Sequence, residues 1–269
     1  IVVIGLLLVY KRSMTKSSFK SVLITGASSG IGAALAMELA APGVAITITG
    51  RDPERLQDVR RSIELKGATV NARTIDVTDI TAMSVLIADI ELTNPLDLVI
   101  ANAGISSSAG AADGDGVTTR EVFAVNLAGV LNTVLPATTA MRSRSRGRIA
   151  IVSSIAGFRG LSTAPAYSAS KIAVKAWGEA IRPQLSKDGI GLSMIYPGFV
   201  ESRITDSNSF SMPLIMPAQR AAQIIVKGLR RGKRTIAFPW QMVWMMRLLA
   251  TLPGPVFDAL LSRAPKKST

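Results

Sequence analysis

The sequence predicts a doubly wound α/β fold, a parallel sheet of about seven strands with helices on both faces. From Ser21 onward short β-rich runs alternate with helical stretches, the chain order of a parallel sheet covered on both sides. Several of those runs are continuously apolar, as strands buried on both faces require. Of the 269 residues 48% are hydrophobic and 18% charged, and none is Cys, so one large core is available and no disulfide frame is.

The first strand, 21–25 (SVLIT), runs into a Gly-rich turn and then a helix over 30–41. Further strands are expected at 44–49, 69–75, 96–101, 148–153, 190–196 and 235–238. Among the intervening helices, one over 79–92 has Thr78 or Asp79 as its cap and another covers 165–186. Residues 203–217 (RITDSNSFSMPLIMP) break the periodicity with Ser, Asn and two prolines and read as a mobile loop placed to act as a lid. The reading is one catalytic domain over 21–239, preceded by an apolar and basic segment, 1–20, and followed by an apolar and basic tail, 240–269.

The net charge of +13 is not spread evenly. Residues 21–206 hold 17 basic and 17 acidic side chains, whereas residues 1–20 hold four basic and no acidic ones, and residues 207–269 hold ten basic against Asp258. Excess charge on two apolar ends suits an anionic membrane surface better than a nucleic-acid groove, so nucleic acid is excluded as a partner. The first ten residues, IVVIGLLLVY, would reach only about 15 Å as a helix, half a bilayer core. They read as the tail of a truncated anchor or signal-like segment, or as an extra packed element, and the basic flank would keep the domain on the cytoplasmic side. The tail holds two of the three Trp and three of the ten Met in WQMVWMMRLL, followed by a Pro-Gly-Pro break and a second short amphipathic helix. Core or dimer packing and interfacial insertion both fit it.

With no His and no Cys, metal chemistry is not expected, and acid/base work falls to Tyr, Lys, Asp or Glu. After the first strand comes TGASSGIG, with Gly26, Gly30 and Gly32 leading into a helix near Ile31. A strand, a tight turn and a helix N-terminus set unpaired N–H groups and a positive dipole end against a pyrophosphate. That makes the fold Rossmann-like and the ligand a dinucleotide. At the end of the second strand NAD usually meets a carboxylate; here the residues are Gly50 and Arg51, and a guanidinium suits a 2′-phosphate. NADP(H) is preferred and NAD(H) possible, the other use of Arg51 being a solvated pair with Asp52 or Glu54.

Tyr167 and Lys171 stand four apart on a predicted helix, on one face a turn apart. An ammonium beside a phenol lowers its pKa from about 10 by favouring the phenolate. Thirteen residues before Tyr167, Ser154 lies at the C-terminal end of a strand, where open α/β sheets bind ligands; Ser153 competes, since alternation turns only one of the two into the cleft.

These residues resemble the short-chain dehydrogenase/reductase superfamily, in its typical single-domain branch, over about residues 20–238. The TGxxxGxG motif is Thr25 to Gly32, with Ser28, Gly30 and Ile31 inside it. The NNAG motif is ANAG, with Asn102, Ala103 and Gly104, and Ala101 in place of the first Asn. The resemblance implies nicotinamide-dependent hydride transfer at a C–OH or C=O centre, with Asn126, Ser154, Tyr167 and Lys171 as the catalytic tetrad. It implies that Tyr167 gives the proton, Ser154 orients the carbonyl, Lys171 binds ribose, and Asn126 holds a water of the proton relay. It further assigns Asp76 and Val77 to the adenine, Asn102 to the strand ends beside the cofactor, the Pro197-Gly198 turn to the site, and Val200 with Ser202 to the nicotinamide carboxamide. The apolar loop and tail point to a lipophilic carbonyl, such as a long-chain 3-keto lipid, steroid or retinoid-like molecule, reduced to its alcohol by a homo-oligomer. A generic carbonyl or acyl-carrier ketoreductase, a cofactor-binding regulator and a membrane scaffold are the competing readings.

Overall fold

The computed structural model describes residues 19–106, 116–206 and 212–262. The expectations for residues 1–18, for 207–211 of the loop and for 263–269 lie outside them. Seven strands, β1 (Ser21–Ile24), β2 (Ala45–Gly50), β3 (Thr69–Thr74), β4 (Leu98–Ala101), β5 (Gly147–Val152), β6 (Ile190–Pro197) and β7 (Thr235–Phe238), pair in the order β3-β2-β1-β4-β5-β6-β7. Every pair is parallel. All strand C-termini therefore share one edge, and the order reverses direction between β1 and β4, the switch point at which such sheets bind ligands.

Alternation along the strands divides the interior in two. Val22, Ile24, Ile46, Ile48 and Ile100 face the helices α1 (Gly30–Leu39), α2 (Pro53–Glu64) and α8 (Ala218–Arg230), reached by Leu35, Ile63 and Ile225. Leu23, Val99, Ile149, Ile151 and Met194 face the other side. There they meet α3 (Ile80–Thr93), α5 (Gly129–Ser143) and α6 (Pro165–Lys187), through Met83, Val134 and Val174. Each fully buried Leu, Ile or Val adds about 1.5–3 kcal/mol to the driving force. The helix α3 is capped by Asp79, whose carboxylate accepts from Ala82 N–H at 2.9 Å.

The remaining helices are α4 (Gly116–Phe123), α7 (Arg203–Asp206), α9 (Trp240–Thr251) and α10 (Gly254–Ser262). A π turn over Ala124–Ala128 joins α4 to α5, and a 3₁₀ turn over Ile155–Phe158 follows β5. The segment Thr118–Ser143 is long and apolar enough to cross a membrane by length and composition, but half of it is buried within the fold, as befits a core helix.

Two boundaries differ from the sequence reading. Phe19 is already a core residue, and the core runs past residue 239, since Met242, Val243 and Met246 of α9 pack inside it. The stretch read as a mobile loop from 203 begins as the helix α7, and Met216 forms a bridge with Val200.

Candidate active site

The turn after β1 is held by one side chain from each neighbouring strand end. Thr25 Oγ1 accepts from the N–H groups of Asn102 (3.1 Å) and Ala103 (3.2 Å). Asn102 Nδ2 returns two bonds, to the carbonyls of Thr25 (2.9 Å) and Gly26 (3.0 Å). The chain then reverses at Gly26 with φ +65°, where a Cβ would lie 2.6 Å from Ala103 Cα. At Gly32 a Cβ would come within 2.3 Å of the Gly26 carbonyl oxygen, so α1 enters as close to the turn as backbone allows. Its N-cap, Ser29, makes no side-chain cap bond and its first turn carries no acid, leaving N–H groups and the positive dipole end for an anion.

At the end of β2, a Cβ on Gly50 would touch the Ser28 side chain at 3.2 Å, so Gly50 lets β2 close onto the turn. Arg51 is exposed. Asp52, the partner that could have occupied it, caps α2 through Arg55 N–H (3.1 Å) and forms its ion pair with Arg55, which holds its carboxyl below the usual range. Arg51 has no ion pair among the described residues. Asp76 is fixed by Thr78, whose N–H and hydroxyl both donate to Oδ1 (2.9 and 2.8 Å), and Val77 is buried where a Cβ on Gly129 would strike it.

These residues fit a dinucleotide on structural grounds. The uncapped helix start and the glycine cradle suit a pyrophosphate. At the other end, a Cβ on Gly104 would come within 3.1 Å of Asn126 Oδ1 and 3.3 Å of Lys171 Nζ, so bare backbone keeps the space beside the lysine clear. The buried hydroxyl of Thr49, one residue before Gly50, has no hydrogen-bond partner among the described residues. No group of three or more metal-ligating side chains arises among the described residues.

Ser153 and Ser154 are separated by what they bond. Ser153 turns inward and donates to the Lys171 carbonyl at 3.0 Å. Ser154 caps the 3₁₀ turn, accepting from Ala156 N–H at 3.1 Å, and its hydroxyl neighbours the Tyr167 phenol. Lys171 is buried, with Nζ donating to the Val152 carbonyl at 3.0 Å and 5.7 Å from the centre of the Tyr167 ring. Burial pulls its pKa from 10.5 down to about 8. The Tyr167 phenol shifts the other way: burial raises its pKa, and the neighbouring Ser154 hydroxyl opposes that. The hydrogen bond of the Lys171 ammonium goes to a backbone carbonyl.

Asn126 sits inside the π turn, fully buried. Its Oδ1 accepts from Ile105 N–H (2.8 Å), and its amide nitrogen donates to the Ile105 carbonyl (2.9 Å) and Ser170 Oγ (3.0 Å). It braces the strand-end loop after β4. A single-turn π bulge is a frequent mark of a functional site. After β6, Gly198 N–H donates to the Phe238 carbonyl at 2.7 Å and the Met242 sulfur lies against it. Ser202 is placed beside Gly30 by the hydroxyl of Thr205, which donates to the carbonyls of Val200 (3.1 Å) and Ser202 (2.7 Å) and accepts from Ser202 N–H (2.8 Å). The structure therefore gathers Ser154, Tyr167, Lys171, Asn126 and Gly104 at the ends of β4 and β5, with the Gly-rich turn beside them. Thr205 and Ser170 were not singled out from sequence, since a Thr in an irregular stretch and a Ser within a helix carry no pattern of their own.

The short chain dehydrogenase family model matches residues 20–211. The chain belongs to that family. It is a nicotinamide-dependent dehydrogenase/reductase acting on alcohol or carbonyl groups. An uncharacterized oxidoreductase of Myxococcus xanthus is 38% identical over 252 residues, 93% of this chain and 99% of the relative. A 3-dehydrosphinganine reductase, TSC10B, of Arabidopsis thaliana is 30% identical over 85% of this chain and 73% of its own length. Among solved structures, a short-chain dehydrogenase from Sphingobium yanoikuyae in complex with NADPH superposes with a TM-score of 0.76 at 22% identity. It covers 93% of this chain and 98% of its own and shares the fold.

Proposed function

We propose that this dehydrogenase/reductase uses NADP(H) to reduce the ketone of a lipophilic substrate to an alcohol. The observation that carries the reading is the gathering of Ser154 and Tyr167 beside the buried Lys171, whose Nζ lies 5.7 Å from the centre of the Tyr167 ring. The nicotinamide cofactor, when bound, supplies the hydride for the carbonyl carbon. Ser154 holds the carbonyl oxygen, and the Tyr167 hydroxyl gives its proton to that oxygen as the alcohol forms. Burial keeps Tyr167 protonated and so suits it to the donor's part. Lys171 binds ribose hydroxyls, the turn from Thr25 to Gly32 holds the pyrophosphate, Asp76 and Val77 border the adenine, and Val200 with Ser202 meets the carboxamide. Asn126 holds a water of the proton relay.

Arg51, exposed and without an ion pair, supports NADP(H) over NAD(H). A lipophilic ketone is supported by the relative named for a keto-lipid and by the apolar face of α9, where Trp240, Trp244 and Leu248 are 68%, 65% and 68% exposed at helical spacing. That face, on a chain end with nine net positive charges, also supports attachment to anionic lipid on the cytoplasmic side of a membrane. Homo-oligomerisation stays part of the proposal. NADPH consumption across a panel of short and long ketones, with and without liposomes, tests the function; no turnover on any ketone would leave the regulator or scaffold reading in its place. Flotation with anionic and neutral liposomes at low and high salt tests the attachment.

A further inference from the structure

We propose that Arg159 is a positioning residue that latches the α9–α10 pair onto the loop of Ser154, making the pair the substrate-side wall and a determinant of which ketones enter. This rests on the function proposed above. Arg159 ends the 3₁₀ turn that Ser154 begins. Its Nη1 donates to three carbonyls at the C-terminus of α9, those of Leu249 (3.4 Å), Ala250 (3.2 Å) and Leu252 (2.5 Å). Its guanidinium lies 4.1 Å above the ring of Phe257, the buried residue of α10. One side chain thus caps the negative end of one helix and clasps the next, the arrangement a planar cation performs best.

The wall stands at the site. The inner face of α9 reaches the Pro197-Gly198 turn through Met242, and Arg247 of the same helix lies 6.0 Å over the Phe158 ring in the 3₁₀ turn. The pair is therefore laid across the two loops that follow β5 and β6. Ser154 does not depend on the latch. It is held by Ala156 and lies 3.4 Å from the Pro197 carbonyl, while the middle of the turn is wedged at Gly157, where a Cβ would meet the Lys171 carbonyl at 2.8 Å. Losing Arg159 loosens the C-terminal end of α9 and α10, while Met242, Val243 and Met246 keep the start of α9 in the core and the proton-transfer groups stay in place. A long substrate that lies along the wall feels the change, and a short one does not.

The test compares Arg159→Met with wild type on a short aliphatic ketone and on its long-chain homologue, with NADPH, while backbone exchange is followed by mass spectrometry. The expected result is faster exchange over residues 248–260, a KM for the long ketone raised about fivefold or more, and kcat on the short ketone within about twofold of wild type. Guanidinium ion at millimolar concentration should restore part of the long-chain KM. A second variant, Phe257→Leu, removes the ring under the cation and should give a smaller shift of the same pattern. Unchanged exchange over 248–260, or an equal loss of kcat on both ketones, overturns the proposal. If wild type reduces neither ketone, the function reading falls, and the exchange measurement alone then decides whether Arg159 is a latch.

Discussion

The two halves of the site are built from different materials. Around β1 and β2 the geometry is set by backbone: a reversal at Gly26, a contact at Gly32 too close for any side chain, and an uncapped helix start. Around β4 to β6 it is set by buried polar side chains, Asn126, Ser154 and Lys171, each tied to a carbonyl or N–H of a neighbouring element. The first half holds a ligand by shape and dipole. The second carries a desolvated ammonium beside a phenol, and pays in stability for the chemistry.

The sharpest way to separate the halves is Tyr167→Phe. Loss of the proton donor should lower turnover by about 10²–10⁴ and leave NADPH affinity, set mainly by the other half, nearly unchanged. Stopped-flow turnover with a cofactor titration checks both; a variant keeping a tenth of the rate would show that another group gives the proton. Lys171→Met tests the stability cost. A pKa held near 8 means that the unfolded chain binds more protons than the folded one between pH 8 and 10.5, so stability rises with pH through that window. Below pH 8 the net cost of burying the ammonium is fully present, about 3 kcal/mol. The inactive Met variant should therefore melt higher than wild type at pH 7, and the gap should close toward pH 10.5.

On the backbone side, Gly32→Ala places a methyl where 2.3 Å separates it from the Gly26 oxygen, and should cost about 1–3 kcal/mol of stability together with cofactor affinity. Chemical denaturation with a parallel NADPH titration would show the coupled loss; a stable variant binding normally would mean that the turn yields. The smallest effect is expected from Arg51→Ser, a surface change that leaves the melting temperature alone. It should reduce the NADPH over NADH preference by about 1–2 kcal/mol, read from the ratio of kcat/KM values. Gly50 is left as it is in this variant, because a side chain there would press on Ser28.

The same division governs what the sequence made legible. Glycine spacing between a strand and a helix leaves its mark in the order of residues, and the strands fell within about two residues of their expected ends. The choice between Ser153 and Ser154 did not follow from alternation because both lie beyond Val152, the last residue of β5, where the chain leaves the pleat for the 3₁₀ turn. The π turn at Asn126 is a change of hydrogen-bond partner and has no residue signature. Arg159 reads as one more cation, since the carbonyls it binds are 90 to 93 positions away. The direction of the Tyr167 shift is set first by burial, which helical spacing alone does not decide.

Asp97 has a consequence at the opposite pole of the sheet. Its carboxylate accepts from the N–H groups of Lys20 (2.8 Å) and Ser21 (3.3 Å) and from Arg146 (3.1 Å), pinning the chain's point of entry at the N-terminal edge of the strands. The helix pair that covers the site stands at the C-terminal edge. A bilayer gripping the chain before residue 19 and one gripping α9 would hold the domain in opposite attitudes, the first with its catalytic mouth turned toward water and the second with that mouth against the lipid. Were either end bound to lipid, its place on the sheet would decide whether a lipophilic substrate must leave the membrane before it is reduced.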